Sequence, residues 1–386
     1  MNAALRLFAP GPVAVHERVR AALGAPVLHH RSPEFKRIFA KAREMLRRVW
    51  QTPGWEPLIF TSSGTGAMEG AVANFMRRGA KAITVSAGKF GERWARILGA
   101  YGCEPVELRL EWGKTCSAEQ LLQLIDEHPD VRAVFLTSAD TSTAAEHPIG
   151  VLGPAIRAKT DALIVVDCVC DLGGNDVAPA RWQADVAVGA SQKCLGLPPG
   201  LGLATVSPRA WELSKTADLP RFYFDWRREA ERHQEDLSAY TSSVTLICGL
   251  VESLTMIEEE GLAAVIARHR RFGEAVRAAV QAYGLKSLPE TSTNCLTAVR
   301  CPPDLEGTQV VSHLAERYGI RIANGQDHLK GRIFRLGHMG ALTDQDLLDL
   351  LDRVGSTLRD VWSGAPASPR AGLEAAERSL RAARQP

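Results

Sequence analysis

The sequence lacks the features that usually identify membrane, secreted and nucleic-acid-binding proteins. Its 386 residues contain no apolar run near the roughly 20 residues that a membrane span needs. Residues 1–9 lack the cationic start and apolar core of a signal peptide. Basic residues exceed acidic ones by only two, 46 against 44, so no basic footprint for nucleic acid is present. We therefore expect a cytoplasmic protein that contacts neither a membrane nor nucleic acid.

Cysteine pairs at metal-binding spacing are also absent. The eight cysteines are scattered along the chain: Cys168 and Cys170 have one residue between them, and Cys194 has no near partner. A structural zinc site needs paired ligands at wider, regular spacing. We therefore predict reduced thiols and no metal site.

What the chain does contain is the composition of a globular enzyme, with 45% hydrophobic and 23% charged residues. Short apolar runs alternate with helical patterns, which predicts an α/β fold with a mostly parallel sheet between helices. Ligands of such sheets bind beyond the carboxyl ends of the strands. The predicted strands are 57–61, 82–86, 105–108, 133–137, 163–167, 186–189 and 202–206, and an amphipathic helix is predicted over 35–49.

Four segments are predicted along the chain. Residues 1–20 form an N-terminal arm, because Pro10 and Pro12 oppose regular structure near the start. Residues 21–250 form the large domain, and the boundary lies within a long helical pattern that begins near Val244. Residues 251–363 form a small α+β domain, with strands over 295–300 and 332–336 and helices over 308–318 and 343–358. Residues 364–386 are expected to fray as a flexible tail.

A lysine and an aspartate stand out at predicted strand ends. Asp167 closes the apolar run from Ala162, and Lys193 follows the stretch 184–189. A buried lysine amine can condense with an aldehyde, and a strand-end aspartate can hold a pyridine nitrogen protonated. The pair therefore suggests a pyridoxal phosphate enzyme. Taken singly, each residue has an ordinary alternative: Asp167 as a helix cap and Lys193 as a solvated surface lysine.

A glycine-containing turn follows the first predicted strand. The segment Ser62-Ser63-Gly64-Thr65-Gly66 leads from that strand into a helix. Free backbone N–H groups and the helix dipole make such a turn an anion site, and glycines let the backbone approach phosphate closely. A plain strand-to-helix turn has the same sequence features, so this segment supports a phosphate site only together with Lys193 and Asp167.

An ordered set of motifs between about Pro10 and Gly340 closely resembles the class V aminotransferases of the pyridoxal phosphate fold-type I group, especially alanine–glyoxylate and serine–pyruvate aminotransferases. The motifs are Pro10-Gly11-Pro12, His30-Arg31-Ser32-Pro33-Glu34-Phe35, Ser63-Gly64-Thr65-Gly66-Ala67-Met68-Glu69, Gly88-Lys89-Phe90-Gly91-Glu92-Arg93-Trp94, Asp167-Cys168-Val169-Cys170-Asp171-Leu172-Gly173-Gly174, Gly189-Ala190-Ser191-Gln192-Lys193-Cys194-Leu195, Pro198-Pro199-Gly200 and Arg335-Leu336-Gly337-His338-Met339-Gly340.

The resemblance implies an activity, a cofactor and an assembly. It implies a pyridoxal 5'-phosphate-dependent aminotransferase that moves an amino group from alanine or serine to glyoxylate or pyruvate by a ping-pong mechanism. It also implies a homodimer with shared active sites. The donor and the acceptor are not fixed by the motifs, because side-chain specificity depends on the shape of the pocket.

The resemblance also implies the roles of particular residues. Lys193 corresponds to the Schiff-base lysine and acid/base, Asp167 to the partner of the pyridinium nitrogen, and Arg335 to the arginine that grips the substrate α-carboxylate. The other implied cofactor contacts are Ser63, Gly64, Thr65 and Gln192 at the phosphate, Phe90 and Val169 on the two ring faces, Thr141 at the ring oxygen, and Thr241 at the phosphate of the neighbouring subunit.

Three of these residues have structural alternatives. Phe90 is also typical of core packing, Arg335 of a pair with a surface acid, and Thr141 of an ordinary turn. The chain also departs from the family pattern. Ser238 stands where relatives often have a tyrosine, and relatives commonly have histidine or glycine near the start of 139–144 and glycine at its end.

Two other functions fit parts of the sequence. A cysteine desulfurase or another lyase shares this fold, but such relatives usually have histidine where this chain has Gln192 and Phe90, and no catalytic cysteine loop is evident. Some similar chains have been named hydrogenase subunits, which suggests a non-catalytic binding or regulatory role. Lys193 and Asp167 together argue against that role, because a chain without chemistry has no need of both.

Overall fold

The computed structural model describes residues 6–383. Their elements in chain order are β1 (Arg6–Leu7), α1 (Glu17–Leu23), α2 (Pro33–Val49), β2 (Glu56–Thr61), α3 (Gly64–Phe75), β3 (Lys81–Ser86), α4 (Lys89–Ala100), β4 (Glu104–Arg109), α5 (Ala118–Glu127), β5 (Ala133–Thr137), β6 (Ala139–Asp140), β7 (Ala145–Glu146), α6 (Ile149–Lys159), β8 (Leu163–Asp167), β9 (Val186–Ala190), β10 (Leu201–Val206), α7 (Pro208–Ser214), α8 (Trp226–His233), α9 (Val244–Glu260), α10 (Leu262–Ala282), β11 (Lys286–Ser287), β12 (Leu296–Arg300), α11 (Gly307–Tyr318), β13 (Ile320–Arg321), β14 (Ala323–Asn324), a 3₁₀ helix (Asp327–Leu329), β15 (Ile333–Gly337), α12 (Asp344–Val361) and α13 (Ala371–Ala382).

A seven-stranded sheet forms the centre of the large domain, in the order β2-β10-β9-β8-β5-β3-β4. The pairs β3–β4, β3–β5, β5–β8 and β8–β9 are parallel, and β10 alone runs antiparallel to both of its neighbours. Strands β5, β8 and β9 are buried along their whole length, as expected for parallel strands covered on both faces. The predicted α/β architecture is therefore confirmed.

Helices cover both faces of this sheet. One apolar cluster joins it to helices that include α2, α5, α6 and α9. A second cluster on the other face joins it to α3, α4, α7 and α8. The helical periodicity that predicted α2 places Phe35, Phe39 and Met45 in the first cluster.

A smaller antiparallel sheet, in the order β11-β12-β15-β14, lies in the C-terminal part of the chain. Its own apolar cluster includes residues of α10, α11 and α12. A further small cluster contains residues of both parts of the chain, including Cys170, Cys194, Cys295 and Ile333. This contact fixes the small sheet beside the loops at the carboxyl edge of the large sheet.

The C-terminal tail departs from the sequence prediction. It was expected to fray from residue 364, but the described part contains helix α13, whose Leu373, Ala376 and Leu380 are buried. α13 packs on α10 and α12, and Gly372 lies so close to Tyr283 that a Cβ there would be 2.1 Å from the ring carbon Cζ. The tail is ordered because its apolar face covers these helices. Residues 384–386 of the predicted tail lie outside the described residues.

Two further segments differ from the sequence prediction: the long helical pattern and the N-terminal arm. The long helical pattern from Val244 is two helices, because Gly261 between them has a φ of +87° and ends α9. The N-terminal arm is not irregular throughout: Arg6–Leu7 pairs in parallel with Ile320–Arg321, and α1 begins at Glu17. Residues 1–5 of the predicted arm lie outside the described residues.

Within residues 6–383, no helix is both long enough and apolar enough to cross a membrane.

Candidate active site

Most of the residues predicted to form the site lie on segments that follow the carboxyl ends of large-sheet strands. β2, β3, β5, β8 and β9 point the same way and end at this edge. The segments after them carry Ser63, Gly64 and Thr65, then Phe90, then Thr141, then Val169, and then Gln192 and Lys193, while Asp167 is the last residue of β8. This is the edge at which open α/β sheets bind ligands.

Asp167 is buried at the end of a central strand, with 3% of its surface exposed. Its Oδ1 accepts the backbone N–H of Val169 at 2.8 Å, so the carboxylate holds the turn after β8 and does not cap a helix. Burial raises the pKa of Asp167 to about 7, and the nearby Asp171 and Asp140 carboxylates raise it as well. A cation placed beside Asp167 would favour its charged form.

Lys193 is buried as well, with 8% of its surface exposed, so it is not a solvated surface lysine. Its Nζ donates a hydrogen bond to the carbonyl oxygen of Pro10. The N-terminal arm lies so close to Lys193 that a Cβ on Gly11 would be 2.6 Å from the lysine side chain. Burial lowers the pKa of Lys193, which increases the fraction of neutral, nucleophilic amine.

The glycine-containing turn has the geometry of a helix N-terminus. Ser63 caps α3, and its Oγ accepts the N–H of Gly66 at 3.3 Å. A Cβ on Gly64 would lie 2.9 Å from Val169 Cγ2 and 3.0 Å from Ala190 Cβ, so only glycine lets this turn pack so closely against its neighbours. The Oε1 atom of Gln192 is buried without a hydrogen-bond partner among the described residues. One polar side-chain atom beside this turn therefore lacks a partner within residues 6–383.

Asp140 binds backbone N–H groups at the N-terminus of α4, a role that the sequence did not predict. Its Oδ2 accepts the N–H groups of Phe90 at 2.9 Å and Gly91 at 3.2 Å. Its Oδ1 accepts both the N–H and the hydroxyl of Ser142, at 2.9 and 2.6 Å. A Cβ on Gly88 would lie 2.5 Å from this carboxylate. Asp140 therefore fixes Phe90, which is half-buried, to the loop that carries Thr141.

The contact between Asp140 and Phe90 joins positions 50 residues apart, so no local pattern reveals it. The one available signal is an aspartate just after a parallel strand, followed by hydroxyl residues, which is typical of a carboxylate that holds a neighbouring turn.

Arg335 reaches the same edge from β15 of the small sheet. Its Nη1 donates to the Thr141 carbonyl at 2.6 Å, while Nε and Nη2 donate to the Asn324 carbonyl at 2.9 and 2.7 Å. Only 6% of its surface is exposed, and no carboxylate within residues 6–383 lies within 4.0 Å of its nitrogens. Burial lowers the pKa of Arg335 to about 10, so it stays charged at neutral pH. It does not pair with a surface acid.

Thr141 itself is buried in a turn, and its carbonyl is one of the two acceptors that hold Arg335.

Thr241 lies apart from this group on the exposed surface. The N–H of the nearby Ser243 donates to Thr61 Oγ1 at 2.9 Å, which places the segment beside the end of β2. Ser238 turns inward within its own loop, where its hydroxyl donates to the Tyr240 carbonyl at 2.5 Å and contacts the Ser242 hydroxyl.

Comparison with known proteins identifies the family. The family described as aminotransferase class-V matches residues 15–339, and the chain belongs to it. The chain is 36% identical to the soluble hydrogenase small subunit of Synechococcus sp., over 97% of this chain and 98% of that one. It is 35% identical to the L-aspartate–glyoxylate aminotransferase of Paracoccus denitrificans, over 97% and 96%. The crystal structure of ureidoglycine–glyoxylate aminotransferase from Bacillus subtilis matches with a TM-score of 0.92 at 28% identity, over 99% of each chain.

These comparisons confirm several predictions. The chain has the fold of the fold-type I pyridoxal phosphate enzymes and is a pyridoxal phosphate-dependent aminotransferase. The aminotransferase interpretation is favoured over both a lyase and a non-catalytic subunit.

The role of Asp140 predicts the effect of its removal. Asp140→Ala leaves the N–H groups of Phe90, Gly91 and Ser142 without their acceptor, which should lower the free energy of unfolding by about 1–3 kcal/mol. If Phe90 contacts the cofactor ring, as the family resemblance implies, the same change should also weaken pyridoxal phosphate binding, because Phe90 loses the acceptor that fixes it. Urea denaturation and cofactor titration measure the two effects.

Asp225→Ala is the matched control, because Asp225 caps α8 through the N–H groups of Arg227 and Arg228. That variant should lose stability and keep its cofactor affinity. Unchanged cofactor affinity in Asp140→Ala would contradict the proposed link between Asp140 and the site.

Proposed function

We propose that this enzyme transfers the amino group of a small amino acid, alanine or serine, to glyoxylate or pyruvate by a ping-pong mechanism. The observation that carries the proposal is the meeting of three buried groups at one sheet edge: Lys193, Asp167 and Arg335, which has no acidic partner within residues 6–383. Glyoxylate as acceptor is supported by the names of the Paracoccus denitrificans and Bacillus subtilis proteins.

The side chains at this sheet edge fit pyridoxal phosphate. We assign Lys193 as its covalent anchor, Asp167 as partner of the pyridine nitrogen, and Thr141 as partner of the ring oxygen. When bound, the cofactor supplies an aldehyde to which amines add and a ring that accepts an electron pair. The further residues assigned to hold it are Ser63, Gly64, Thr65 and Gln192 at the phosphate, and Phe90 and Val169 on the two ring faces.

Asp167 is suited to this role because its burial makes an unpaired negative charge costly. Asp167 would accept a hydrogen bond from a protonated ring nitrogen, whose positive charge would compensate the buried carboxylate. The phosphate is suited to the start of α3, where free N–H groups and the helix dipole favour an anion.

Lys193 is assigned the proton transfer at the substrate α-carbon. Burial lowers the pKa of Lys193, so its amine is neutral, and able to accept a proton, more often than that of an exposed lysine. The hydrogen bond to the Pro10 carbonyl orients the amine, which lies in the turn after β9.

Arg335 is assigned the substrate α-carboxylate. A guanidinium has five N–H donors, and the carbonyl oxygens of Thr141 and Asn324 take three of them, which leaves two for a carboxylate. The fixed fork suits bidentate recognition. Because Arg335 remains charged while buried, a carboxylate gains more from it than from a solvated arginine.

We also propose a homodimer in which Thr241 reaches the phosphate of the partner's site. Thr241 is exposed, and next to it lies an aromatic patch of Phe222, Tyr223 and Tyr240, in which Phe222 is 73% exposed and the Tyr223 and Tyr240 rings lie 5.2 Å apart. Exposed apolar patches of this kind are typical of interfaces. Light scattering should give about twice the chain mass of 41.9 kDa. A monomer at micromolar concentration would contradict the proposal.

We place the enzyme in the cytoplasm. All eight cysteines are free, and six of them are buried, which suits a reducing compartment. Recovery of the protein in a membrane or secreted fraction would exclude this assignment.

A panel of amino donors tests the function directly. Alanine, serine, aspartate and ureidoglycine are each supplied with glyoxylate, and glycine formation is followed by mass spectrometry. We expect glycine from alanine or serine, with parallel lines in double-reciprocal plots. Failure of every donor with glyoxylate, together with failure of serine to convert pyruvate to alanine, excludes the proposed reaction, and release of sulfide from cysteine favours a lyase.

Arg335→Gln sharpens this test. The variant should raise the KM of donor and acceptor together by roughly 100-fold, because both lose a charged bidentate contact. Arg332→Gln changes an exposed arginine on the approach to the same strand and serves as the control. Equal KM values in Arg335→Gln and the wild type would remove Arg335 from the substrate site.

A further inference from the structure

Arg93 lies at the site without an assigned role. It lies one turn after the N-terminus of α4, and its Cζ is 4.6 Å from the centroid of the Phe90 ring. A guanidinium stacked on an aromatic face is held in orientation by the ring. The side chain is half-buried.

The Arg93 guanidinium contacts the glycine-containing turn at the start of α3 through one hydrogen bond. Its Nη1 donates to the Oγ1 of Thr65 at 2.9 Å. A threonine hydroxyl has one proton and two acceptor lone pairs. Because Oγ1 accepts from Arg93, its own proton is free to be donated elsewhere. Thr65 lies in the first turn of α3, where the free N–H groups of the helix also gather.

Arg93 also brings an uncompensated positive charge. No carboxylate within residues 6–383 lies within 4.0 Å of its nitrogens, whereas Arg96, one turn later on the same helix, pairs with Glu92 at 3.1 Å. The charge of Arg93 acts at Asp167 as well, where it offsets a part of the rise in pKa that burial causes. A positive charge kept free of acids at an anion-binding turn indicates a negatively charged ligand.

We propose that Arg93 is a positioning residue for the cofactor phosphate: held by the Phe90 ring, it donates to the Thr65 hydroxyl and so directs the Thr65 proton to a phosphate oxygen. This inference rests on the proposed function, because it needs the phosphate at the start of α3. It assigns to Arg93 no contact with substrate.

Titration with two vitamers tests the proposal. Pyridoxal phosphate and pyridoxal, which lacks the phosphate, are each titrated into cofactor-free wild type, Arg93→Gln and Arg93→Lys. Arg93→Gln should weaken pyridoxal phosphate about 10-fold, as expected for the loss of a charge-assisted contact. Its pyridoxal affinity should stay within about threefold of wild type, and Arg93→Lys should recover part of the loss. At saturating cofactor, the KM of the amino donor should not change.

A double-mutant cycle tests the path through Thr65. If Arg93 acts through the hydroxyl, Arg93→Gln combined with Thr65→Val should bind pyridoxal phosphate about as weakly as Thr65→Val alone. Arg96→Gln is the matched control, because its side chain is 67% exposed and paired with Glu92. That variant should bind both vitamers like the wild type.

Three results overturn the inference: unchanged pyridoxal phosphate affinity in Arg93→Gln, equal losses for both vitamers, or additive losses in the cycle. Each leaves the proposed function standing as long as the wild type binds pyridoxal phosphate. A wild type that does not bind it overturns the proposed function as well, and the same titration shows which has failed.

Discussion

The cost of burying ionisable groups is the constraint on which this site depends. Asp167 and Lys193 are both buried at the carboxyl edge of the large sheet, and burial favours the uncharged form of each. The carboxylate therefore requires a cation to keep its charge, and the amine is kept available as a nucleophile. The same desolvation suits Asp167 to the proposed pairing with a protonated ring and Lys193 to the proposed covalent bond.

The site also depends on contacts between the two sheets. Arg335 extends from β15 of the small sheet and is held by the carbonyl of Thr141, in the loop after β5 of the large sheet. Asp140, beside Thr141, holds the start of α4 and with it Phe90. One short loop therefore sets the position of Arg335 and of the Phe90 ring together. A movement of this loop would displace both side chains at once.

Much of this arrangement was predictable because its signals are local. The strand ending at Asp167 is a continuous apolar run, as parallel buried strands are, and Lys193 lies where a strand meets a turn. The motifs predicted which side chains belong to the site, but they did not predict which residues hold those side chains in place. The bonds of Asp140 to α4 and of Arg93 to Thr65 join positions 50 and 28 residues apart, and such contacts follow from packing alone.

The tail was predicted wrongly for a different reason. Its alanine- and arginine-rich composition is typical of a frayed end, yet Leu373, Ala376 and Leu380 share one helical face. That face is stable only because α10 and α12 offer an apolar surface, which composition does not show. Thr241 is proposed to contact a partner subunit, and in a single chain nothing distinguishes such a residue from any other exposed threonine.

The most direct test of the account is to supply the purified protein with pyridoxal phosphate, reduce it with borohydride and locate the added mass by peptide mass spectrometry. The account predicts the adduct on the Nζ of Lys193, and no adduct in Lys193→Ala. An unmodified Lys193 in protein that has been supplied with the cofactor would contradict it.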